Sequence, residues 1–472
     1  MHQLMTFDSE IRESWCYIPY PYARDEWKGM CWEVLTKQAW FDRWLQVEKD
    51  FALARYKEIV ESPESGQLEY DGVDASATKP TKASIRVNDL LETITERYQP
   101  LSSFSQKLQF LIDIHITIFD QFHERLHSAL EAYLAMTSAI GRTVQSSGEH
   151  ANVEGVAGLG RLCRIFGSAE YLEKKMEDWS NDVFFVELWS ELQTRLQHNR
   201  DDRANLAGSM SVADVASRTS SAVVNAQNLG NGVSVDGALF DETASAYRRL
   251  RLRSETVIVS ALCSDMLSVL RPYARASAWS TLSGSLDGIS SGAAADSASS
   301  FTPSSDLAPA VRTLSASASF LSHAIGTAPF RRIIRQLLRY VQSYIWDNVL
   351  MRHTFSATGA AQFAGDVYHL CAVADASFAT VAGNHGFSER VFKKLNEGLL
   401  ILCLSAESVS ESPVDGRKSE DGFTTSLGLW DVERRVFKDN ESARDVLSEL
   451  GIDILTESEA RMVLERRIEI GS

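Results

Sequence analysis

Apolar residues along this chain recur at helical spacing, and no convincing series of alternating strands interrupts them. Val87, Leu90, Leu91, Ile94 and Tyr98 follow i, i+3, i+4, i+7 and i+11, which is one face of a helix. Pro80 and Thr81 mark the approach to that helix, and Pro100 ends it or starts a turn. A longer helix is predicted from about Ser103 to Ile140, with Leu108, Leu111, Ile112, Phe119, Phe122, Leu126 and Leu130 as its stripe and Gly141 as its stop. At 1.5 Å per residue it is roughly 55 Å long. Upstream, Trp40–Ile59 reads as a helix with Trp44, Val47, Phe51 and Ala54 on one side. Two helices are predicted between Val153 and Gln197, and another from Asp241 to a break at Pro272. The segment Phe330–Arg352 is strongly amphipathic, with Ile333, Ile334, Leu337, Leu338, Val341 and Ile345 on its apolar side. Helical spacing continues through "SERVFKKLNEGLLILCL" and "TESEARMVLERRIEI", where acids come early and arginines late, as the helix dipole favours.

Polar, small-residue stretches divide this pattern. Ser62–Lys82 is a loop rich in Ser, Gly, Asp and Pro. Composition also predicts an N-terminal helical region over 1–198 and a flexible loop over 199–238. A helical segment over 239–282, a low-complexity disordered loop over 283–310 and a C-terminal helical bundle over 311–472 follow. No period of 20–50 residues repeats, so a sequence-regular solenoid is not supported.

Bulk properties then narrow the function classes. With 472 residues the chain is long enough for two or three domains or one extended architecture. Its net charge of −16 opposes phosphate backbones and anionic lipid, which disfavours nucleic-acid binding. The N-terminus lacks the basic and apolar regions of a signal peptide. The longest conspicuous apolar run, Leu399–Leu404, is too short to span a bilayer, so no transmembrane segment is expected. Six scattered cysteines without a C-x-x-C pair read as reduced, mostly buried thiols. Five of the ten tryptophans (Trp15, Trp27, Trp32, Trp40 and Trp44) lie in the first 44 residues, a density expected of a packed core more than of a binding groove.

One motif suggests chemistry. His123, Glu124 and His127 spell HERLH, which fits the H-E-x-x-H pattern of zinc hydrolases. Two histidines four apart on a helix bind the metal, and the glutamate activates the bound water. A third ligand is required; the metzincin extension fails at Leu130 and Tyr133, and Glu149 or Glu154 lies in no supporting motif. By helical geometry Phe119, Leu126 and Leu130 define the stripe's centre, and both histidines sit on its edge. The cluster Arg248, Arg249, Arg251 and Arg253 reads as a solvated face paired with nearby acids, with a phosphate-bearing or acidic partner as the alternative. "GNHGF" (Gly383–Phe387) reads as a turn between helices. Phosphate loops and dinucleotide fingerprints are missing, so no catalytic, cofactor-binding or metal-binding residue is assigned.

Several long segments resemble the RINT/TIP family of vesicle-tethering subunits. They are Trp40–Ser62, Thr78–Tyr133, Phe166–Trp189 ("FGSAEYLEKKMEDWSNDVFFVELW"), Phe355–Val367 ("FSATGAAQFAGDV") and Glu459–Ile470. The resemblance implies an all-α fold, an elongated rod of stacked helical bundles of the multisubunit-tethering-complex (CATCHR) type. It also implies a non-enzymatic subunit of the Dsl/NRZ complex, peripheral on the endoplasmic reticulum membrane and active in Golgi-to-ER retrograde transport. Implied partners are Dsl/ZW-type and Sec-type tether subunits and ER SNAREs, with indirect contact to COPI vesicles; no cofactor is implied. Chains of this family begin upstream of the segment that Met1 matches, so the resemblance further implies an N-terminally shortened chain. A zinc-dependent hydrolase using HERLH is the alternative.

Overall fold

The computed structural model describes residues 1–20, 27–37, 40–138, 154–198, 237–275, 278–281, 302–382, 386–406 and 427–471. Residues 199–236 and 283–301 of the two expected loops, and residues 383–385 of "GNHGF", lie outside them. Every extended element among the described residues is helical; the exceptions are two isolated bridges, Leu68 with Thr81 and Phe355 with Arg467. The residues group into two compact units, 1–153 with 160–257 and 154–159 with 258–472.

In the first unit, helix α1 spans His2–Ser9, α2 Phe41–Glu61, α3 Lys82–Tyr98, α4 Phe104–Phe110 and α5 Thr117–Thr137. Helix α6 (Gly155–Ser180), α7 (Val183–His198) and the first half of α8 (Asp241–Arg275) follow. The predicted stripe of α3 is buried at all five positions. Thr81 caps this helix by accepting from the Ser84 amide. The predicted long helix exists as one helical path, but Leu111–Ile116 between α4 and α5 is a wide π-helical turn. Leu111, Ile112, Ile114, His115 and Ile116 of this turn are all buried, so this part of the path is enclosed on most sides rather than along one stripe. Aromatic rings fill the core there. Tyr98 stacks on Phe110 at 5.1 Å, and Trp179 meets Phe119 at 5.8 Å and Phe240 at 5.7 Å.

Three expectations need correction. Helix α2 forms where predicted, but Phe41, Leu45, Ala52, Tyr56, Ile59 and Val60 are its buried face. Val47 is 65% exposed, Phe51 48% and Ala54 exposed, because a second apolar row on the same helix meets the core instead. The tryptophan cluster is not a core either: Trp27 is buried, whereas Trp15 is 75% exposed and Trp40 48%. Among the cysteines, Cys163 and Cys371 are buried and Cys16 is exposed, so "mostly buried" overstates the case.

The Ser62–Lys82 loop is stapled by its own backbone, with Glu69 N donating to Pro80 O and Lys82 N to Gln67 O. The loop's end then crosses α6 closely. Thr81 Oγ1 lies 2.6 Å from Ser168 Oγ, and a Cβ on Gly167 would sit 2.2 Å from the Lys79 carbonyl oxygen.

The second unit holds the rest of α8, then α9 (Ala308–Ala324), α10 (Thr327–Ile345) and α11 (Ala357–Ala382). It continues with α12 (Phe387–Val391), α13 (Lys393–Leu402), α14 (Leu429–Val436), α15 (Asn440–Glu449), α16 (Glu457–Leu464) and α17 (Ile468–Gly471). Pro272 does not break α8; the helix continues to Arg275, losing one amide donor rather than its path. This helix is long and apolar enough to cross a membrane, with a window of mean hydropathy 1.3. Its buried residues Ile258, Leu262, Met266 and Leu270 recur every four positions, the period of a helix packed on a protein core. Helix α9 starts at Ala308, inside the stretch expected to be loop through residue 310, with Pro309 in its first turn.

Two buried charges join the C-terminal helices. The Glu397 carboxylate accepts from the amides of Asp453, Ile454 and Leu455 at 2.8–3.2 Å. Arg467, 1% exposed, donates to the carbonyls of Leu402 and Leu404 and pairs with Glu469 at 3.0 Å.

Gly167→Ala should therefore lower stability by about 2 kcal/mol, read as a lower urea midpoint at unchanged slope, because the Lys79 carbonyl must move. His115 gives a pH signature. It is fully buried, with Nε2 2.9 Å from Thr95 Oγ1 and 3.2 Å from the Leu91 carbonyl, and burial pushes its pKa from 6.5 down to about 4. The folded state thus prefers neutral imidazole, so stability is intact above about pH 6.5 and is lost as pH falls towards 4. The loss is about 3 kcal/mol. Thermal melts across this window should fall more steeply for the native chain than for His115→Gln, which keeps a polar group there but does not titrate.

Candidate interaction surfaces

Three regions of the first unit carry the residues that the sequence singles out. The first is HERLH on α5. His123 is half-buried, with its ring 5.3 Å from Tyr247 and its pKa lowered by burial. Tyr247 in turn donates to the Phe119 carbonyl at 2.7 Å. His127 lies beside a cation: Arg253 Nη1 is 3.3 Å from Nε2, and the same guanidinium pairs with Glu131 at 2.5 Å. Glu131 is itself 3.6 Å from His127 Nε2. Glu124 faces outward and accepts from the Ser128 hydroxyl at 3.1 Å. The structure thus brings His123 and His127 together, their ring centroids 6.3 Å apart, but fills the remaining space with an arginine and a tyrosine. Among the described residues no three His, Cys, Asp or Glu side chains gather closely enough to hold a metal ion. Glu149 lies outside the described residues.

The second region is the arginine cluster on α8. Arg248 and Arg251 both grip Glu173 of α6, at 2.8 and 2.6 Å, and Arg248 also reaches Glu177 at 2.7 Å. Glu173 is nearly buried, and its proximity raises the pKa of Arg248. Arg249 meets Glu242 at 3.5 Å. Every member of the cluster therefore has an acid beside it. The arrangement locks α8 to α6 and α5; it does not offer free positive charge to an acidic partner.

The third region is the N-terminal aromatic surface. Trp15, Tyr17, Tyr20, Trp40, Val47 and Phe51 all expose apolar area, Tyr20 at 98%. Guanidiniums cover part of it, with Arg43 5.3 Å from the Trp40 ring and Arg97 5.2 Å from that of Phe51. Arg97 is held by Glu48 at 2.7 Å. Exposed aromatics flanked by arginine are the composition of protein–protein contact surfaces. The sequence pattern singled out Trp15, Trp40, Val47 and Phe51 but placed them inward, and it passed over Tyr17 and Tyr20.

Resemblance over the whole length adds to this picture. A model of the RINT-1/TIP-1 family matches residues 1–467. The chain belongs to the RINT-1/TIP-1 family. Among curated relatives, the protein transport protein tip20 of Schizosaccharomyces pombe is 25% identical over 148 residues, 30% of this chain and 20% of that protein. The RINT1-like protein of Drosophila melanogaster is 22% identical over 193 residues, 41% of this chain and 22% of that one. The aligned parts thus span about a fifth of these relatives' length. Among solved structures, the fold is similar to Tip20 in the crystal structure of the SNARE Sec20 bound to that Dsl1 complex subunit. The TM-score is 0.60 at 15% identity, over 98% of this chain and 63% of that one. The all-α, tether-type fold expected from the sequence is the fold observed.

Sequence reasoning missed one set of residues in this RINT-1/TIP-1 chain. Arg331, Arg335 and Arg339 stand four apart on α10, a helix without a single acid. The signal was present in the charge pattern but was read only as amphipathicity.

Metal analysis checks the HERLH reading directly. Purified chain should carry far less than one equivalent of zinc, and His123→Ala should not alter that amount. Stoichiometric zinc that disappears in His123→Ala would restore the hydrolase alternative.

Proposed function

We infer that this chain is a non-enzymatic, SNARE-binding subunit of a vesicle-tethering complex at the endoplasmic reticulum, acting in Golgi-to-ER retrograde transport. The observation that carries the reading is the combination of whole-chain family membership with a fold similar, over nearly its full length, to a tether subunit solved with a SNARE. The proposed partners are an ER SNARE of the Sec20 kind and Dsl/ZW-type and Sec-type tether subunits, with COPI vesicles engaged indirectly. The proposed location is the cytoplasmic face of the endoplasmic reticulum, held there peripherally through those partners.

Physical features support a docking role over catalysis. The two histidines of HERLH are occupied by Tyr247, Arg253 and Glu131. The large exposed aromatics suit binding of a protein surface, where Trp, Tyr and Arg supply most of the energy.

Purified chain mixed with the cytosolic part of a Sec20-type SNARE should co-elute in size-exclusion chromatography, with a dissociation constant of about 10 μM or tighter by calorimetry. No heat and no co-elution at roughly tenfold higher concentration would overturn the SNARE-binding reading.

A further inference from the structure

The second unit holds a concentration of positive charge that forms no ion pair among the described residues and that the proposed function does not use. Elsewhere among the described residues arginines are commonly matched: Arg248 and Arg251 with Glu173, Arg435 with Glu449, Arg444 with Glu457. Helix α10 departs from this. Phe330, Ile333, Ile334, Leu337, Leu338 and Val341 fill the core. That burial leaves Arg331, Arg335 and Arg339 in a row on one outer side. Four residues of helix separate each pair, so the charges repeat about every 6 Å along the axis. Helix α12 runs beside them and adds Arg390, whose Nε is 3.4 Å from its own helix's Gly386 carbonyl. None of the four guanidiniums forms an ion pair among the described residues, and the only acid that α10 and α12 contribute is Glu389.

These side chains line a cleft of about 580 Å³. Phe387 and Val391 form an apolar part of its wall, and the Arg335 guanidinium lies 5.4 Å from the centre of the Phe387 ring. Stacking on an aromatic face fixes the plane of a guanidinium and leaves its N–H fork free. The cleft is thus preorganised for carboxylates, which accept two parallel bonds from such a fork.

We propose that the α10–α12 cleft binds an acidic linear segment of a partner protein, its carboxylates in register with Arg331, Arg335 and Arg339. Spacing selects this ligand. An acidic helix with carboxylates at i, i+4 and i+8 repeats every 6 Å, and an extended strand brings alternate side chains round every 6.6 Å or so. A single phosphate engages two guanidiniums and leaves the rest of the row unmatched. A bilayer is a plane, whereas this site is a recess. The inference rests on the tethering reading only in taking the ligand to be a protein.

The test uses the full chain and a short fluorescein-labelled alanine-rich peptide with glutamate at every fourth position, followed by fluorescence anisotropy. The glutamate peptide should bind with affinity that falls as salt rises, and its glutamine counterpart should not. Arg335→Glu/Arg339→Glu should weaken binding by at least about tenfold, since two charge-assisted pairs are lost. Arg335→Lys/Arg339→Lys, which keeps charge but not the fork, should fall between. Arg55→Glu/Lys57→Glu, an equal charge change on α2 of the first unit, should leave binding within about twofold, because its charges lie outside the cleft. All the substituted side chains are exposed, so melting temperatures should stay unchanged. Equal loss in the α10 and α2 reversals would overturn the proposal. So would phosphatidylserine vesicles that bind through Arg335 and Arg339 while the peptide does not. SNARE co-elution is measured separately, so failure here leaves that reading standing and the converse holds as well.

Discussion

Both units depend on one steric constraint: where a connecting segment crosses a helix, the two backbones must nearly touch. A Cβ on Gly167 would lie 2.2 Å from the Lys79 carbonyl oxygen, and a Cβ on Gly359 closer still to the carbonyl oxygen of Trp279. Only glycine fits either place. The surrounding bonds presuppose the approach. In the first unit Thr81 both caps α3 and touches Ser168, one residue past Gly167. In the second, Ser356 N donates to the Trp279 carbonyl at 3.1 Å, three residues before Gly359. These contacts also explain why the family-like segments look as they do. "TKPTK" meets "FGSAE", and "FSATGA" meets the chain's end, where Phe355 N donates to Arg466 O and Ile468 N to Phe355 O.

Short C-terminal helices need more than apolar burial. Helices α14 to α17 have between four and ten residues each, too few to be stable alone. Glu397 ties the approach to α16 by accepting three consecutive amides, and the capping box of Thr456 and Glu459 starts that helix. Arg467 closes the other end by binding carbonyls left open after α13. A buried charge that loses its partners costs more than the pair contributes when intact. Such groups therefore act as locks: they penalise every arrangement in which these helices dock elsewhere.

The stripes of α3, α5 and α10 were legible because each helix buries one apolar stripe of regular period. Helix α2 was misread because it has two apolar rows, and periodicity alone does not say which meets the core. The π-turn at Leu111–Ile116 was hidden for a related reason: five inward residues in six fit no regular period, and the sequence could only be read as α. Trp15 and Trp40 were placed inside on average tendencies of tryptophan, which carry no information about a particular neighbour. HERLH was legible as a boundary, and the structure adds the identity of what lies beyond it, Tyr247 and Arg253.

The arginines make the same point about function. The α8 cluster and the α10 row look alike in sequence, yet among the described residues one is paired with acids and the other is not. What separates them is the helix packed alongside. Helix α6 presents Glu173 and Glu177 to α8, whereas α12 presents another arginine to α10. Folding pairs the first cluster with acids at a partly buried joint, where leaving Glu173 without its two guanidiniums would strand a buried carboxylate. Folding concentrates charge in the second, at a cost in self-repulsion that packing of the opposite apolar face must offset. Water and dissolved ions screen that cost at exposed side chains, and carboxylates from a partner would relieve it further at α10 but not at α8, which is why the acidic segment is proposed for the one and not the other.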